Sequence, residues 1–398
     1  MSLNVTPSAN RLHIGIYGAT NAGKSSLINA IIGQDVSLVS DVKGTTTDPV
    51  TKPMELLPLG PVVFIDTAGL GDDGELGALR IERTLKVLQR TDFAIYLNDI
   101  TNFDEKEQEN MIHQFKKFNI PYMIVFNKID KADKETLNSF KKLYKDAQFI
   151  STSDDKQVIE LKNALIDKIK NEENEPTIIG DLVPYGGTVV MVVPIDSEAP
   201  KGRIILPQVQ LIRDCLDNGI KSYLVRDTEL KDALGDLKHI DLVVTDSQAF
   251  KSVSAMVPEN IPLTSFSILF ARYKGDIKSF VHGVNVIKDL KDGANILISE
   301  SCTHNHSHED IGRYKIPKLL NHKENKTFNY DFRMGHNFPE NLSEYNLVIH
   351  CGSCMLNKKT MQSRIMICND AGVPITNYGV VLAYATSILD RTLKVKNL

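Results

Sequence analysis

The eight residues "GATNAGKS", 18–25, constrain this chain more than any other stretch. They fit G-x-x-x-x-G-K-S, follow the apolar run "HIGIY" and precede a helix-like segment, the setting in which this spacing cradles phosphate. Gly18 and Gly23 let the backbone curl so that its N–H groups converge on phosphate oxygens, and the following helix adds the positive end of its dipole. Ala22 and Ser26 belong to the same loop. Lys24 is placed to neutralise the β- and γ-phosphates and Ser25 to ligate Mg²⁺, which makes Lys24 the first catalytic candidate. Such a loop commits the chain to an α/β sheet with the site at the carboxyl end of a strand.

Three companions follow in the order a guanine-nucleotide site needs. "GTTTD", 44–48, supplies a threonine, Thr45 or Thr46, for the metal. "DTAG", 66–69, ends the run "VVFIDTAG"; Asp66 holds Mg²⁺ mostly through water, and the Gly69 N–H senses the γ-phosphate. In "NKID", 127–130, the Asp130 carboxylate accepts from N1–H and the 2-amino group of guanine. Adenine lacks both donors, so an unpaired buried carboxylate rejects it. Asn127 and Lys128 brace the loop and the base, and Ser151 and Thr152 of "ISTS" complete the pocket. Together these motifs predict GTP binding.

The expected fold class is α/β: an N-terminal P-loop GTPase domain followed by two smaller α/β domains, for dimerisation and for a metal cluster. The runs "HIGIYG", "VVFIDTAG", "FAIYLND", "YMIVFNK" and "AQFIS" read as buried parallel strands separated by amphipathic helices. "KIKNEENEPTIIGDLV" reads as a helix end and linker, so the first domain is set at 1–172. Strand-like "TVVMVVPID", "SYLVRD" and "DLVVTDS" mark a second at 178–264. A third, 265–398, contains "ANILISE" and "YNLVIHC" with a closing helix "GVVLAYATSILDRTL". A chain of 398 residues exceeds a single core, in keeping with this division. A net charge of −4 and a pI near 6.2 carry no nucleic-acid footprint. No apolar run reaches membrane-spanning length and no signal peptide is visible, so a cytoplasmic location is expected.

The motifs "NAGKSSLINAI", "GTTTDP", "DTAG" and "NKID" resemble the TrmE–Era–EngA–YihA–septin class of GTPases over about residues 12–170. The resemblance implies that Thr46 is the threonine on Mg²⁺ and that Asn21 coordinates K⁺ beside the β/γ bridge, where it adds charge that an arginine finger otherwise supplies. Leu70 stands where many small GTPases carry a water-orienting glutamine. Glu75, in "GDDGELGALR", is the candidate for that task, with Asp72 and Asp73 as rivals. An ungapped match puts Gly77 at the corresponding position.

Of five cysteines, Cys215 and Cys368 read as core residues, Cys368 after an apolar "RIMI" that by itself suggests a strand within a longer helix-like "TMQSRIMICNDAG". The others fall in "SESCTHNHSHED" and "VIHCGSCMLN", each after a strand-like run. Cys351-x-x-Cys354 lets both sulfurs reach one centre, and Cys302 sits at a matching strand end. Three thiolates suit zinc with His304 or His350 as the fourth ligand. They equally suit a four-iron cluster whose last iron takes a histidine, water or an exogenous ligand. Spacing alone leaves both open. His306 and His308 read as loop residues.

The GTPase motifs together with Cys302-x-His304 and, further on, His350-Cys351-x-x-Cys354 resemble HydF, the [FeFe]-hydrogenase maturation GTPase family. "GDLVP" and "PKGRIILPQVQLIRD" extend the likeness over nearly the whole chain. This resemblance implies a 4Fe–4S cluster on the three cysteines, a homodimer, and a scaffold that carries a two-iron precursor. It implies as partners the radical-SAM maturases HydE and HydG and the apo-hydrogenase, with no membrane and no nucleic acid. Two other readings compete. One is a tRNA-modifying or ribosome-assembly GTPase with structural zinc, against which the acidic pI counts. The other is a metal carrier with a decayed GTPase, against which the intact motifs count.

Overall fold

Short runs of Val, Ile, Leu and Phe in this chain become strands buried on both faces, which is why they lack the alternation of a half-exposed sheet. A computed structural model describes residues 6–33, 50–67, 84–172, 176–195, 204–301, 311–335, 337–339, 341–395 and 398. The chain forms two units, 1–174 and 175–398.

The first unit is a six-stranded sheet. Its strands are β1 (Leu12–Tyr17), β2 (Val50–Leu56), β3 (Gly60–Asp66), β4 (Phe93–Asp99), β5 (Tyr122–Asn127) and β6 (Gln148–Phe149), in the order β2-β3-β1-β4-β5-β6. All neighbours are parallel except β2, which runs antiparallel to β3. Sequence periodicity does not reveal β2, "VTKPMEL". It is an edge strand, where Pro53 costs no ladder bond, and the half-buried Lys52 donates from Nζ to Asn29 Oδ1 at 2.7 Å. The order reverses at β1, which lies between β3 and β4, so a crevice opens at its carboxyl end. Helix Lys24–Gly33 starts there and buries Leu27, Ile28 and Ile31 in the core with Ile14, Ile16, Phe64 and Ile95.

The second unit holds two four-stranded sheets, each wholly parallel among its described strands. One is made of β7 (Thr188–Val192), β8 (Lys221–Val225), β9 (Leu242–Thr245) and β10 (Leu263–Ser265), in the order β10-β9-β7-β8. The other is made of β11 (Asn295–Glu300), β12 (Asn329–Met334), β13 (Leu347–His350) and β14 (Ile375–Asn377), in the order β12-β11-β13-β14. Helix Phe266–Lys274, capped by the Ser265 side chain, serves both sheets. Phe266, Leu269 and Phe270 enter one core, and Ile268 and Ala271 enter the other.

Cys215 lies in helix Leu206–Asp217 and Cys368 in helix Lys358–Asp370; both are fully buried. The strand suggested by "RIMI" is therefore corrected to helix. Thr360, Met361, Arg364, Ile365 and Cys368 recur at helical spacing on its buried side, and the Asn357 side chain caps its first turn. Burial pushes each of the two thiols up to about 12, which marks them as core groups.

Candidate functional sites

In the first unit the phosphate loop leaves β1 at the crevice. Gly18 and Gly23 have φ of +138° and +99°. A Cβ at Gly18 would run into the Leu97 carbonyl, and one at Gly23 into the Asn127 amide, so both positions require glycine. Lys24, nearly buried, donates from Nζ to the carbonyls of Gly18 and Ala19 at 2.8 Å, which aims its ammonium over the loop. Ser25 Oγ donates to Asp66 Oδ2 at 2.7 Å, so the two residues assigned to Mg²⁺ from separate motifs already touch. Ala22 is buried, while Asn21 and Ser26 are exposed.

The base side is tied to the phosphate side by two residues of "NKID". Asn127 Nδ2 donates to the Ala22 carbonyl at 2.9 Å, and its Oδ1 accepts from Thr152 N at 3.1 Å. Lys128, in the left-handed region with φ +62°, donates from Nζ to the Asn21 carbonyl and to Asp99 Oδ2, both at 2.6 Å. Burial raises the Asp99 carboxyl, but the bonds from Lys128 and Thr101 outweigh it and hold the group below the usual carboxylate range. Asp130 stands exposed on the turn Ile129–Lys131, at the rim of a cavity of about 430 Å³ lined also by Ser151, Ser153 and Gln157. Gln157 accepts from Ser151 N at 2.7 Å and so fixes the "ISTS" turn. Neither Asp99 nor Gln157 was singled out from sequence. The only sign of Asp99 is a charge closing an apolar run. Thr45, Thr46, Gly69, Leu70, Asp72, Asp73, Glu75 and Gly77 lie outside the described residues.

In the second unit β11 and β13 pair with Ser299 opposite His350, so their carboxyl ends lie side by side at the point where that sheet reverses order. Cys351 follows β13. Its Sγ lies 3.0 Å from Ser301 N, which donates to it, and 2.7 Å from Ser301 Oγ. Ser301 is the last described residue before Cys302. Ser353 has φ +55°, the left-handed curl that turns the chain between Cys351 and the exposed Cys354. Cys302, His304, His306, His308 and His336 lie outside the described residues.

His350, expected as a metal ligand, ends β13. The ring is fully buried, Nδ1 lies 2.8 Å from the Cys351 carbonyl and Nε2 lies 2.6 Å from Arg364 Nη1. Burial first, and then the Arg364 charge, push its pKa down to about 3. The ring is neutral, with Nδ1–H donating to the carbonyl and Nε2 accepting from Arg364. A metal would have to displace that arginine.

Two buried cations flank the same loop. Lys274 donates from Nζ to the carbonyls of Ser353 at 2.8 Å and Leu356 at 3.2 Å. Arg364 donates to Ser299 Oγ at 3.1 Å and to the Gly335 carbonyl at 2.7 Å, with its guanidinium 4.9 Å from the Phe338 ring centre. Burial pushes the Lys274 ammonium down against the pull of the Cys354 and Cys351 thiols, and it lowers Arg364 to about 10. Among the described residues no group of three or more His, Cys, Asp and Glu side chains comes together as a metal site. The residues present do fit a thiolate-bound anionic centre: two sulfurs on one curled loop, an N–H aimed at one of them, and buried positive charge behind both.

Comparison with known proteins gives three family matches. Residues 13–128 match the 50S ribosome-binding GTPase family, 178–275 the hydrogen maturase F dimerization domain, and 278–395 the hydrogen maturase F tetramerization domain. GTPase Der of Wolinella succinogenes is 34% identical over 149 residues, 35% of this chain and 32% of that protein. The tRNA modification GTPase MnmE of Helicobacter pylori is 38% identical over 145 residues, 35% of this chain and 31% of that protein. MnmE of Bordetella parapertussis is 36% identical over 123 residues, 31% of this chain and 27% of that protein. The chain thus spans about a third of the length of these curated relatives.

Proposed function

The chain belongs to the hydrogen maturase F family and is a hydrogenase-maturation GTPase, and from this premise we propose that it works as an iron–sulfur scaffold that carries a two-iron precursor to apo [FeFe]-hydrogenase. The observation that carries this reading is the Cys351–Cys354 loop, with its N–H···S contact and the buried Lys274 and Arg364 behind it. Cys302, Cys351 and Cys354 hold a 4Fe–4S cluster, and His304 is the histidine left to approach it. A cluster held by three thiolates leaves one iron for an exogenous ligand. His350 acts from behind, as a brace between Arg364 and the loop backbone. HydE and HydG supply the cargo and the hydrogenase receives it, in the cytoplasm. Anaerobically purified protein is the test. Brown protein containing iron and sulfide agrees with the reading. Colourless protein with stoichiometric zinc overturns it in favour of a tRNA-modifying or ribosome-assembly GTPase.

The GTPase domain takes GTP and Mg²⁺. In the proposed site Ser25, Thr46 and Asp66 hold the metal and Lys24 offsets charge at the β–γ bridge. Ala22, Ser26 and Thr45 line the phosphates, and Gly69 reports on the γ-phosphate. Asn21 places K⁺, and Glu75 orients the water. Asp130, with Ser151 and Thr152, selects guanine. We divide the chain at 172–178 and near 264, and assign the middle part to homodimer formation. Support comes from β8, an edge among the described strands of its sheet, which exposes Tyr223 and Leu224, and from the preceding helix, which exposes Val209 and Leu216. An apolar edge with no partner among the described residues calls for a further strand.

A further inference from the structure

Lys274 and Arg364 are only 4% and 1% exposed, and among the described residues neither has a carboxylate within ion-pair distance. Removing a charge from water costs several kcal/mol even after relaxation, so buried cations are ordinarily paired. Lys274 has two neutral carbonyls in place of a counter-ion. Arg364 has a serine, an imidazole, a carbonyl and an aromatic face, and its Nε has no hydrogen-bond partner among the described residues. Hydrogen bonds of this kind recover part of the cost but bring no opposite charge.

The two cations approach one loop from different elements. Lys274 closes the helix shared by both cores and reaches across 79 residues to Ser353. Arg364 lies on the buried side of helix Lys358–Asp370 and reaches His350 and Ser299, at the ends of the two strands that lead into the cysteine loops. Between them lies Cys351-x-x-Cys354. Among the described residues the acidic groups that act on the two cations are thiols, Cys354 and Cys351 on Lys274 and Cys351 and Cys368 on Arg364, while the Glu300 carboxylate is taken by Arg313 and Tyr378.

We propose that Lys274 and Arg364 are the built-in counter-charges of the metal–thiolate centre, positioning residues that hold its loop and set its reduction potential. The inference rests on the iron–sulfur reading and deepens it. An anionic cluster becomes more negative on reduction, so fixed positive charge nearby favours the reduced form. Taking that charge away lowers the potential. A merely structural lysine would behave otherwise: its loss would lower the melting temperature but leave the potential of the folded, iron-loaded variant where it was.

The experiment uses the full-length chain reconstituted with iron and sulfide, compared with Lys274→Met, Lys274→Arg, Arg364→Met and Arg364→Lys. Its readouts are the melting temperature before reconstitution, bound iron and sulfide, and a dye-mediated reductive titration followed by electron paramagnetic resonance. Lys274→Met leaves the Ser353 and Leu356 carbonyls without their donor and is expected to fold with a somewhat lower melting temperature. It should either lose bound iron or need about tenfold more reducing conditions at half-reduction, which is about 59 mV for a one-electron couple. Lys274→Arg and Arg364→Lys keep the charge and should stay near the parent potential, while Arg364→Met should shift in the same direction as Lys274→Met. If the folded Met variants hold full iron at an unshifted potential, the counter-charge assignment is wrong though the cluster reading stands. If the charge-keeping variants shift as far as the Met variants, the effect is packing and the assignment is equally wrong. If the parent chain binds no iron at all, the cluster reading fails and takes this inference with it.

Discussion

Replacing Asp130 with asparagine isolates the base-recognition claim. The carboxylate stands on the turn Ile129–Lys131 at the rim of the 430 Å³ cavity, and its loop is pinned by Asn127 to the phosphate loop and by Lys128 to Asn21 and Asp99. The substitution therefore changes chemistry on a fixed support. Guanine offers two donors to the carboxylate, and hydrogen bonds to a charged group are worth about 1.5–3 kcal/mol each. Asp130 is exposed before the base arrives, so the lower value applies, about 3 kcal/mol for the pair. That corresponds to roughly a hundredfold in Kd. Asparagine keeps one acceptor but turns an N–H toward the guanine donors. Xanthine has a carbonyl where guanine has the 2-amino group, and it accepts from that N–H. Fluorescent-nucleotide titration should therefore show GDP affinity falling about a hundredfold and xanthosine diphosphate affinity rising. A variant with unchanged circular dichroism that still binds GDP within threefold of the parent would refute the assignment, as would a parent protein for which ATP competes equally with GTP.

Asp99→Ala should weaken GDP binding several-fold, since Lys128 loses a half-buried ionic partner worth about 1 kcal/mol; an unchanged Kd by the same titration would show that Lys128 is held well enough by Asn21 alone. Replacing Na⁺ with K⁺ at constant ionic strength should raise phosphate release, and Asn21→Ala should remove the rise; equal rates in both salts would dispose of the K⁺ site and leave GTP binding intact. Lys24→Ala should cripple GTP turnover while iron and sulfide stay near normal. Cys302→Ala, Cys351→Ala or Cys354→Ala should do the reverse, and a folded Lys24→Ala protein without iron would contradict the independence of the two sites. Placing lysine at both Tyr223 and Leu224 should lower the mass seen by light scattering, whereas an unchanged mass would move the dimer contact away from β8.

Much of the nucleotide site is legible in the sequence because it is local. Gly18, Gly23, Lys24 and Ser25 act through one loop whose backbone shape their spacing encodes, and "NKID" ends its strand as a unit. The apolar runs of β1, β3, β4 and β5 announce themselves for the same reason. Burial on both faces leaves a continuous hydrophobic word that needs no partner to be read. The edge strand β2 lacks that signature, since only pairing with β3 makes it a strand. The cysteines could be listed from sequence, but the surroundings of the residues beside them could not. His350 sits next to Cys351 in the chain, yet its ring turns inward to Arg364, and only the packing of helix Lys358–Asp370 against β13 decides that. Lys274 lies 77 positions before Cys351, and no local pattern links them. A charge on the buried side of a helix is a hint at most, because its meaning depends on what the fold sets opposite it. Bond-length chemistry within a loop is determined by neighbours in the chain. The electrostatic field at a centre is a sum over neighbours in space, and only the tertiary structure supplies those.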